Sequence, residues 1–205
     1  NPDDIELIEN HKFEMINNIF WRNSELNFTN IKSLIDSLDE KPNKPWLRRI
    51  NECEDEKVLK LLINNQSEIK IENQENNLEL LWECCQIPDF VKKSYGKHLE
   101  VVKMVFNFLS SGDGKIPNKY FKDQLKQLDK IEGNVDSLSN RIANVRTWSY
   151  VANKSNWVEN NDYWIERTKY LEDKLSDRLH EELTKTFIDK RASVLAKGLK
   201  QDVSF

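Results

Sequence analysis

The sequence predicts an all-α fold: an irregular helical bundle with one long C-terminal helix and, at most, a minor extended segment near residues 17–23. Apolar residues recur at intervals of three and four through most of the second half of the chain, which is the period of an α-helix. Only five glycines and five prolines interrupt the 205 residues. A hydrophobic fraction of 38% suits a folded protein better than a disordered one.

The first 50 residues predict two short helices. One is expected from residue 4 to residue 11, and the other from residue 29 to residue 38 with Thr29 as its N-cap. Residues 19–22 between them supply the extended segment. The two prolines at positions 42 and 45 require a loop over residues 41–45.

Two further helices are expected at 54–65 and 76–87, and the polar stretch at 66–75 between them indicates a loop. The second of these helices ends before Pro88, because the residue preceding a proline is pushed out of the α region.

The second half of the chain predicts four helices with a cleaner pattern. They cover residues 97–110, 117–131, 135–153 and 162–200, and Pro117 suits the first position of the second one. The last helix carries apolar residues at strict steps of four, which overshoot a full turn and wind around the helix. This winding stripe is expected to contact more than one neighbour; it comprises Leu171, Leu175, Leu179, Leu183 and Phe187.

The net charge of −4 is unevenly distributed. Residues 1–90 hold 10 Lys and Arg against 19 Asp and Glu, a net −9, whereas residues 91–205 hold 21 against 16, a net +5. A polyanion would bind the second part, although an ordinary solvated surface explains so modest an excess equally well. We divide the chain into a helical subdomain at 1–95 and a C-terminal helical bundle at 96–205.

The chain has no run of 18 apolar residues and no signal-peptide pattern, so we expect a soluble, cytoplasmic protein without a membrane partner. Its cysteines, Cys53, Cys84 and Cys85, have neither zinc-site spacing nor a disulfide framework, and we interpret them as reduced thiols in a reducing compartment. The absence of an initial methionine before Asn1 suggests an excised piece or a processed product.

The sequence lacks the residues that nucleotide hydrolysis requires. The nearest approach to a phosphate-binding loop is Gly112-Asp113-Gly114-Lys115, which lacks the first glycine at the required spacing and the following Ser or Thr. Three isolated histidines, at positions 11, 98 and 180, have no second ligand at helical spacing. We therefore expect no catalytic residue, no metal site and no cofactor in this chain.

Four strings together resemble one protein family. They are WRNS at 21–24, LWECCQIPDF at 81–90, LSNRIANVRTW at 138–148 and EDKLSDRLHEELT at 172–184, the last continuing into FIDKR at 187–191. The set resembles the region that follows the two RecA-like motor domains in bacterial superfamily-two DExH RNA helicases similar to the mitochondrial degradosome RNA helicase. The resemblance spans nearly the whole chain, and the two C-terminal strings are its most specific part.

The resemblance implies a division of labour. The motor domains, which this chain does not contain, would bind ATP and Mg²⁺ and pull a single RNA strand. The helical C-terminal region would pack across those motor domains and close a channel for the strand. A strand in such a channel is held by Arg and Lys at its phosphates and by aromatic rings at its bases.

Five residues are candidates for RNA contact. Arg141 and Trp148 lie seven residues apart and share a helix face, and Arg146 lies on the same helix. Packing in the core is the alternative for Trp148, and an intramolecular ion pair is the alternative for both arginines. Lys190 and Arg191 suit the C-terminal half of a helix and equally suit a phosphate.

Two functional hypotheses follow. In the first, the chain is an RNA-binding and motor-docking accessory region of an ATP-dependent RNA helicase. In the second, it is a helical protein-interaction module without RNA-binding activity, with an exoribonuclease as one conceivable partner.

Overall fold

The computed structural model describes residues 2–12, 19–64, 75–111 and 113–202. Within these residues the chain forms eight α-helices and two short β-strands. In chain order they are α1 (Pro2–Glu9), β1 (Ile19–Trp21), α2 (Ile31–Leu38), β2 (Leu47–Arg49), α3 (Glu54–Asn64), α4 (Glu75–Cys85), α5 (Tyr95–Ser110), α6 (Asn118–Leu128), α7 (Val135–Asn153) and α8 (Asn161–Asp202). The predicted helical fold with a long C-terminal helix is confirmed, and β1 lies inside the predicted extended segment.

The helices predicted from periodicity begin and end close to their expected positions. The bounds of α7 coincide with the predicted 135–153, and every other helix except α6 agrees within two residues at each end. The loop predicted at 66–75 lies outside the described residues except for Glu75, with which α4 begins.

The chain forms two compact units. The first consists of Asn1–Gln86 together with Leu99–Ser110, and the second of Ile87–His98 together with Ser111–Phe205. Our division of the sequence after residue 95 differs from this grouping, because most of α5 belongs to the first unit.

The first unit contains a small parallel sheet. β1 and β2 pair in register, with Ile19 beside Leu47 and Trp21 beside Arg49, and α2 connects them. Strand β2 was not predicted, because a strand of three residues carries no usable alternation and two of its residues are arginines. Its pairing depends on β1, a tertiary contact that local pattern does not reveal.

The N-cap of α2 lies one residue after the predicted one. Asn30 is the N-cap, and its side-chain oxygen accepts the backbone N–H of Ser33 at 2.8 Å. Thr29, which we had expected to cap the helix, instead donates its hydroxyl to Asn27. Both residue types suit an N-cap, so composition did not distinguish them.

A buried carboxylate, Glu56 on α3, lies in an ion-pair cluster of the first unit. Its side chain is 1% exposed, with Arg49 Nη2 at 3.1 Å from Oε2 and Arg22 Nε at 3.5 Å from Oε1. Arg22 also donates two hydrogen bonds to Asp55, at 2.9 and 3.0 Å, and its guanidinium lies 5.1 Å from the ring centroid of Trp82. The cluster thus joins the ends of β1 and β2 to α3 and α4.

This burial has a pH-dependent consequence. Removal from water raises the pKa of Glu56 above its ordinary value of 4.5, despite the opposing effect of Arg49 and Arg22. The folded protein therefore holds this proton more tightly than the unfolded chain. Stability contributed by Glu56 is accordingly greatest at low pH, falls as the pH rises from 4.5 to the folded pKa, and stays constant above it.

Glu56→Gln tests this directly, because glutamine does not titrate. The free energy of unfolding of the wild type relative to the variant should fall through that window, by at most about 1.4 kcal/mol per pH unit, and then level off. Urea unfolding of both proteins at a series of pH values measures it. A wild type that gains stability over the variant as the pH rises would mean that the two arginines outweigh burial.

The core of the second unit is aromatic. The ring centroid of Phe121 on α6 lies 5.2 Å from that of Trp148 on α7 and 4.8 Å from that of Trp164 on α8. Helix α7 begins after Asn134, whose side chain accepts the backbone N–H of Ser137 at 3.0 Å. The aromatic ring of Phe121 thus connects α6 to both α7 and α8.

Helix α6 is shorter than predicted. Pro117 occupies the N-cap position with ψ at 131°, outside the helix, and its carbonyl accepts the N–H of Phe121 at 3.1 Å. The helix ends at Leu128 because Asp129 leaves the helical conformation, with ψ at 62°. The expectation that Pro117 is the first helical residue and that the helix reaches residue 131 is corrected accordingly.

The apolar stripe of α8 is buried only along its first part. Leu171 and Leu175 are fully buried, whereas Leu183 is 44% and Phe187 60% exposed. The expected contact of the whole stripe with several neighbours is not found in the described part of the chain. From residue 183 to residue 192 α8 lies in solvent, and we call this stretch the distal segment.

The cysteines are consistent with reduced thiols. None forms a disulfide; Cys84 and Cys85 are buried and Cys53 is half-buried. Burial raises the pKa of the Cys85 thiol well above its ordinary value, so this thiol is unreactive. In the described ranges, no helix combines the length and the apolar character that crossing a bilayer demands.

Candidate nucleic-acid interface

Arg141 on α7 stabilises the connection between α6 and α7. Its Nη1 donates to the backbone carbonyls of Lys130, at 2.7 Å, and Glu132, at 2.5 Å. Between those carbonyls and α7 lies Gly133, which has φ at 135°, and a Cβ added there would meet the side chain of Ser137 at 3.0 Å. The guanidinium therefore stabilises a tight loop. Arg141 has intramolecular partners, as the alternative to RNA contact proposes, but these partners are backbone carbonyls rather than a carboxylate.

Trp148 on α7 is a core residue. Its side chain is 3% exposed, and its ring contacts Phe121 and also Tyr120, whose centroid is 6.0 Å away. A buried indole presents no face to a nucleobase. The geometry thus favours the packing interpretation over the stacking one: Trp148 is directed into the protein, whereas Arg141 on the same helix face is half-buried.

Arg146 lies on another side of α7 and is 53% exposed. Its Nε donates to Glu172 on α8 at 2.7 Å, which links the two helices and balances the charge. An exposed pair of this kind contributes at most about 1 kcal/mol. Arg146 is accessible, but its charge already has a partner within the second unit.

Lys190 and Arg191 remain accessible, since both are exposed in the distal segment of α8. The Arg191 guanidinium lies 5.5 Å from the ring centroid of Phe187, one turn earlier on the same face. Lys185 is also exposed, and Asp189 is the acidic residue among them. The distal segment thus combines three cations, one carboxylate and an accessible ring.

Phe187 is a member of this surface whose exposure the sequence did not predict. The four-residue series placed it in an apolar stripe expected to be covered, and its exposure of 60% became apparent only from the structure. A local signal did exist, because Phe187 and Arg191 are separated by four residues and such pairs meet on a helix surface.

The described residues contain no group of three or more His, Cys, Asp or Glu side chains placed to hold a metal ion. The segment 113–115 is a turn in which the N–H of Gly114 donates to the carbonyl of Ser111 at 3.2 Å; Gly112 lies outside the described residues.

Comparison with protein-family models, with curated proteins and with solved structures gave no match to this chain. The candidate interface is therefore defined by its own geometry: the exposed cations and ring of the distal segment.

Proposed function

We propose that this chain is a non-catalytic accessory region of a cytoplasmic ATP-dependent RNA helicase, and that the distal segment of α8 contacts single-stranded RNA. The sequence resemblance suggests the helicase context. The observation that carries the RNA contact is the exposure of Lys190 and Arg191 beside the accessible ring of Phe187. In this proposal ATP and Mg²⁺ are bound only by the motor domains.

The side chains of the distal segment are suited to bind single-stranded RNA without preference for its base sequence. Lys and Arg release counterions from phosphates when they bind, which makes the affinity dependent on salt. An aromatic ring offers a stacking surface to any base. The helix would hold the strand against the motor domains, which supply the pulling force.

Charge reversal at Lys190 and Arg191 tests the proposal. We expect the full chain to bind a fluorescein-labelled oligouridylate with an affinity that falls as salt rises. In Lys190→Glu/Arg191→Glu the slope of log affinity against log salt should be smaller by about 1.4, the value for two lost phosphate contacts on a single strand. Fluorescence anisotropy at four salt concentrations measures both slopes.

Lys92→Glu/Lys93→Glu is the matched control, because it reverses two adjacent exposed lysines elsewhere in the second unit. Both variants change the net charge equally. If the control lowers the slope as much as the distal variant, the binding is a property of net charge and the distal segment is not a site.

A second candidate function is protein docking without RNA binding. It is favoured by the apolar residues of the same segment, since Leu183 is 44% and Ile188 59% exposed. Its partners would be the motor domains or an exoribonuclease. A wild-type chain that fails to bind oligouridylate even at low salt would support this second candidate.

A further inference from the structure

A second exposed surface lies near the start of α8, away from the distal segment. Tyr163, Arg167 and Tyr170 are spaced by four and three residues and therefore share one face of the helix. The two tyrosines are 58% and 57% exposed. A rise of about 1.5 Å per residue places their Cα atoms roughly 10 Å apart along the helix axis.

Both rings are held in place although they are accessible. The Tyr163 ring meets the buried indole of Trp164 edge-on, with centroids 4.9 Å apart. The Arg167 guanidinium lies 5.4 Å from the centroid of Tyr170 and is itself anchored by Asp129 at 3.0 Å. Rings that are ordered before binding lose less conformational entropy when a ligand stacks on them.

One edge of α6 runs alongside this face. At one end of α6, Asn118 accepts the indole N–H of Trp164 at 3.0 Å. At the other end, Asp129 pairs with Arg167 and with Lys174, the latter at 2.6 Å. Because these contacts are made from both ends, α6 follows the first part of α8.

Lys122 lies on this same edge of α6, since it is four residues after Asn118 and seven before Asp129. Lys126, one turn later, is a neighbour of Lys122, and both side chains are exposed. Asp123 projects farther round α6, away from α8. Two exposed lysines therefore lie on or next to the edge of α6 that contacts α8.

Four carboxylates lie near this face: Asp129, Glu159, Glu166 and Asp173. Asp129 is shared between Arg167 and Lys174, so one negative charge meets two positive ones. Glu166 is exposed, but its position on α8 places it on the side of the tyrosines that is remote from α6. The lysine edge and the tyrosines together form what we call the tyrosine face: Lys122, Lys126, Tyr163, Arg167 and Tyr170.

We propose that the tyrosine face is a binding site for single-stranded nucleic acid, with bases stacked on Tyr163 and Tyr170 and phosphates at Lys122 and Lys126. An exposed pair of pre-ordered rings beside cations has the two components by which proteins hold single strands. This inference extends the proposed function but does not depend on it, because the distal segment contributes no residue to the face.

Ring removal and ring retention distinguish stacking from other roles. We expect Tyr163→Ala and Tyr170→Ala each to weaken binding of a labelled oligouridylate of about 15 nucleotides by at least about fivefold. Tyr163→Phe and Tyr170→Phe keep the rings and should bind like the wild type. Phe90→Ala removes an aromatic side chain, 47% exposed, outside the face and serves as the control.

The outcomes separate this site from the distal segment. Weak binding by the alanine variants with intact binding by Lys190→Glu/Arg191→Glu supports the tyrosine face and contradicts the distal assignment. Alanine variants that bind like the wild type, phenylalanine variants that bind as weakly as alanine ones, or a wild type that binds no oligouridylate each overturn the tyrosine face. Circular dichroism on every variant checks that the helices are intact.

Discussion

Trp148→Ala is expected to lower the free energy of unfolding of the second unit by about 3–5 kcal/mol. The indole is 3% exposed and lies at the centre of the aromatic contacts between α6 and α7. Alanine would leave a cavity beside Phe121 and Tyr120 that the three-helix core cannot easily close. Urea denaturation followed by circular dichroism measures the loss.

Two further variants make this result specific. Trp148→Phe keeps a ring in the site, so we expect it to retain a substantial part of the lost stability. Tyr170→Ala removes a ring that is 57% exposed and should change the unfolding free energy by less than about 1 kcal/mol. A Trp148→Ala protein of unchanged stability that no longer binds oligouridylate would restore Trp148 as an RNA contact.

Arg49→Ala is expected to destabilise the first unit by about 3 kcal/mol. It removes the cation 3.1 Å from Oε2 of Glu56 and leaves that buried carboxylate with Arg22 alone, whose Nε is 3.5 Å from Oε1. An uncompensated buried charge is costly, so most of the effect should come from Glu56 rather than from the lost arginine.

A double variant separates these two contributions. Arg49→Ala/Glu56→Gln no longer carries the buried carboxylate at position 56 and should be more stable than Arg49→Ala alone. Arg48→Ala, on the exposed neighbour in β2, is the matched control and should have little effect. If the change in unfolding free energy of the double variant equals the sum of the changes in Arg49→Ala and Glu56→Gln, the two residues are not energetically coupled.

Helical periodicity was sufficient to predict most of the fold. The α7 pattern from Val135 to Ala152 gave both ends of that helix, because a buried stripe and a capping Asn134 specify it locally. In contrast, β2 exists only because β1 lies beside it. Local sequence could likewise not show which of three consecutive acids, at positions 54–56, becomes buried, since its partners Arg22 and Arg49 come from distant segments.

The candidate sites were less predictable than the fold. Trp148 and Arg141 satisfied the pattern of an interface, yet the same spacing is what a core-facing stripe requires, and the structure places the indole in that stripe. Lys190 and Arg191 are exposed, as a surface role demands. Tyr163 and Tyr170 show the spacing of a shared face in the sequence, but their relation to the lysines of α6 depends on how two helices pack.

The division of α5 between the two units affects the order in which these units can fold during synthesis. A nascent chain that has emerged only to residue 86 still lacks Val102, Val105 and Phe106, three side chains that are fully buried and lie in the first unit's second segment. The N-terminal part must therefore wait for the ribosome to add residues 99–110 before it can close its interior. Residues 87–98, which belong to the second unit, leave the ribosome before residues 99–110. At that stage the remainder of the second unit, from Ser111 onward, has not yet been added.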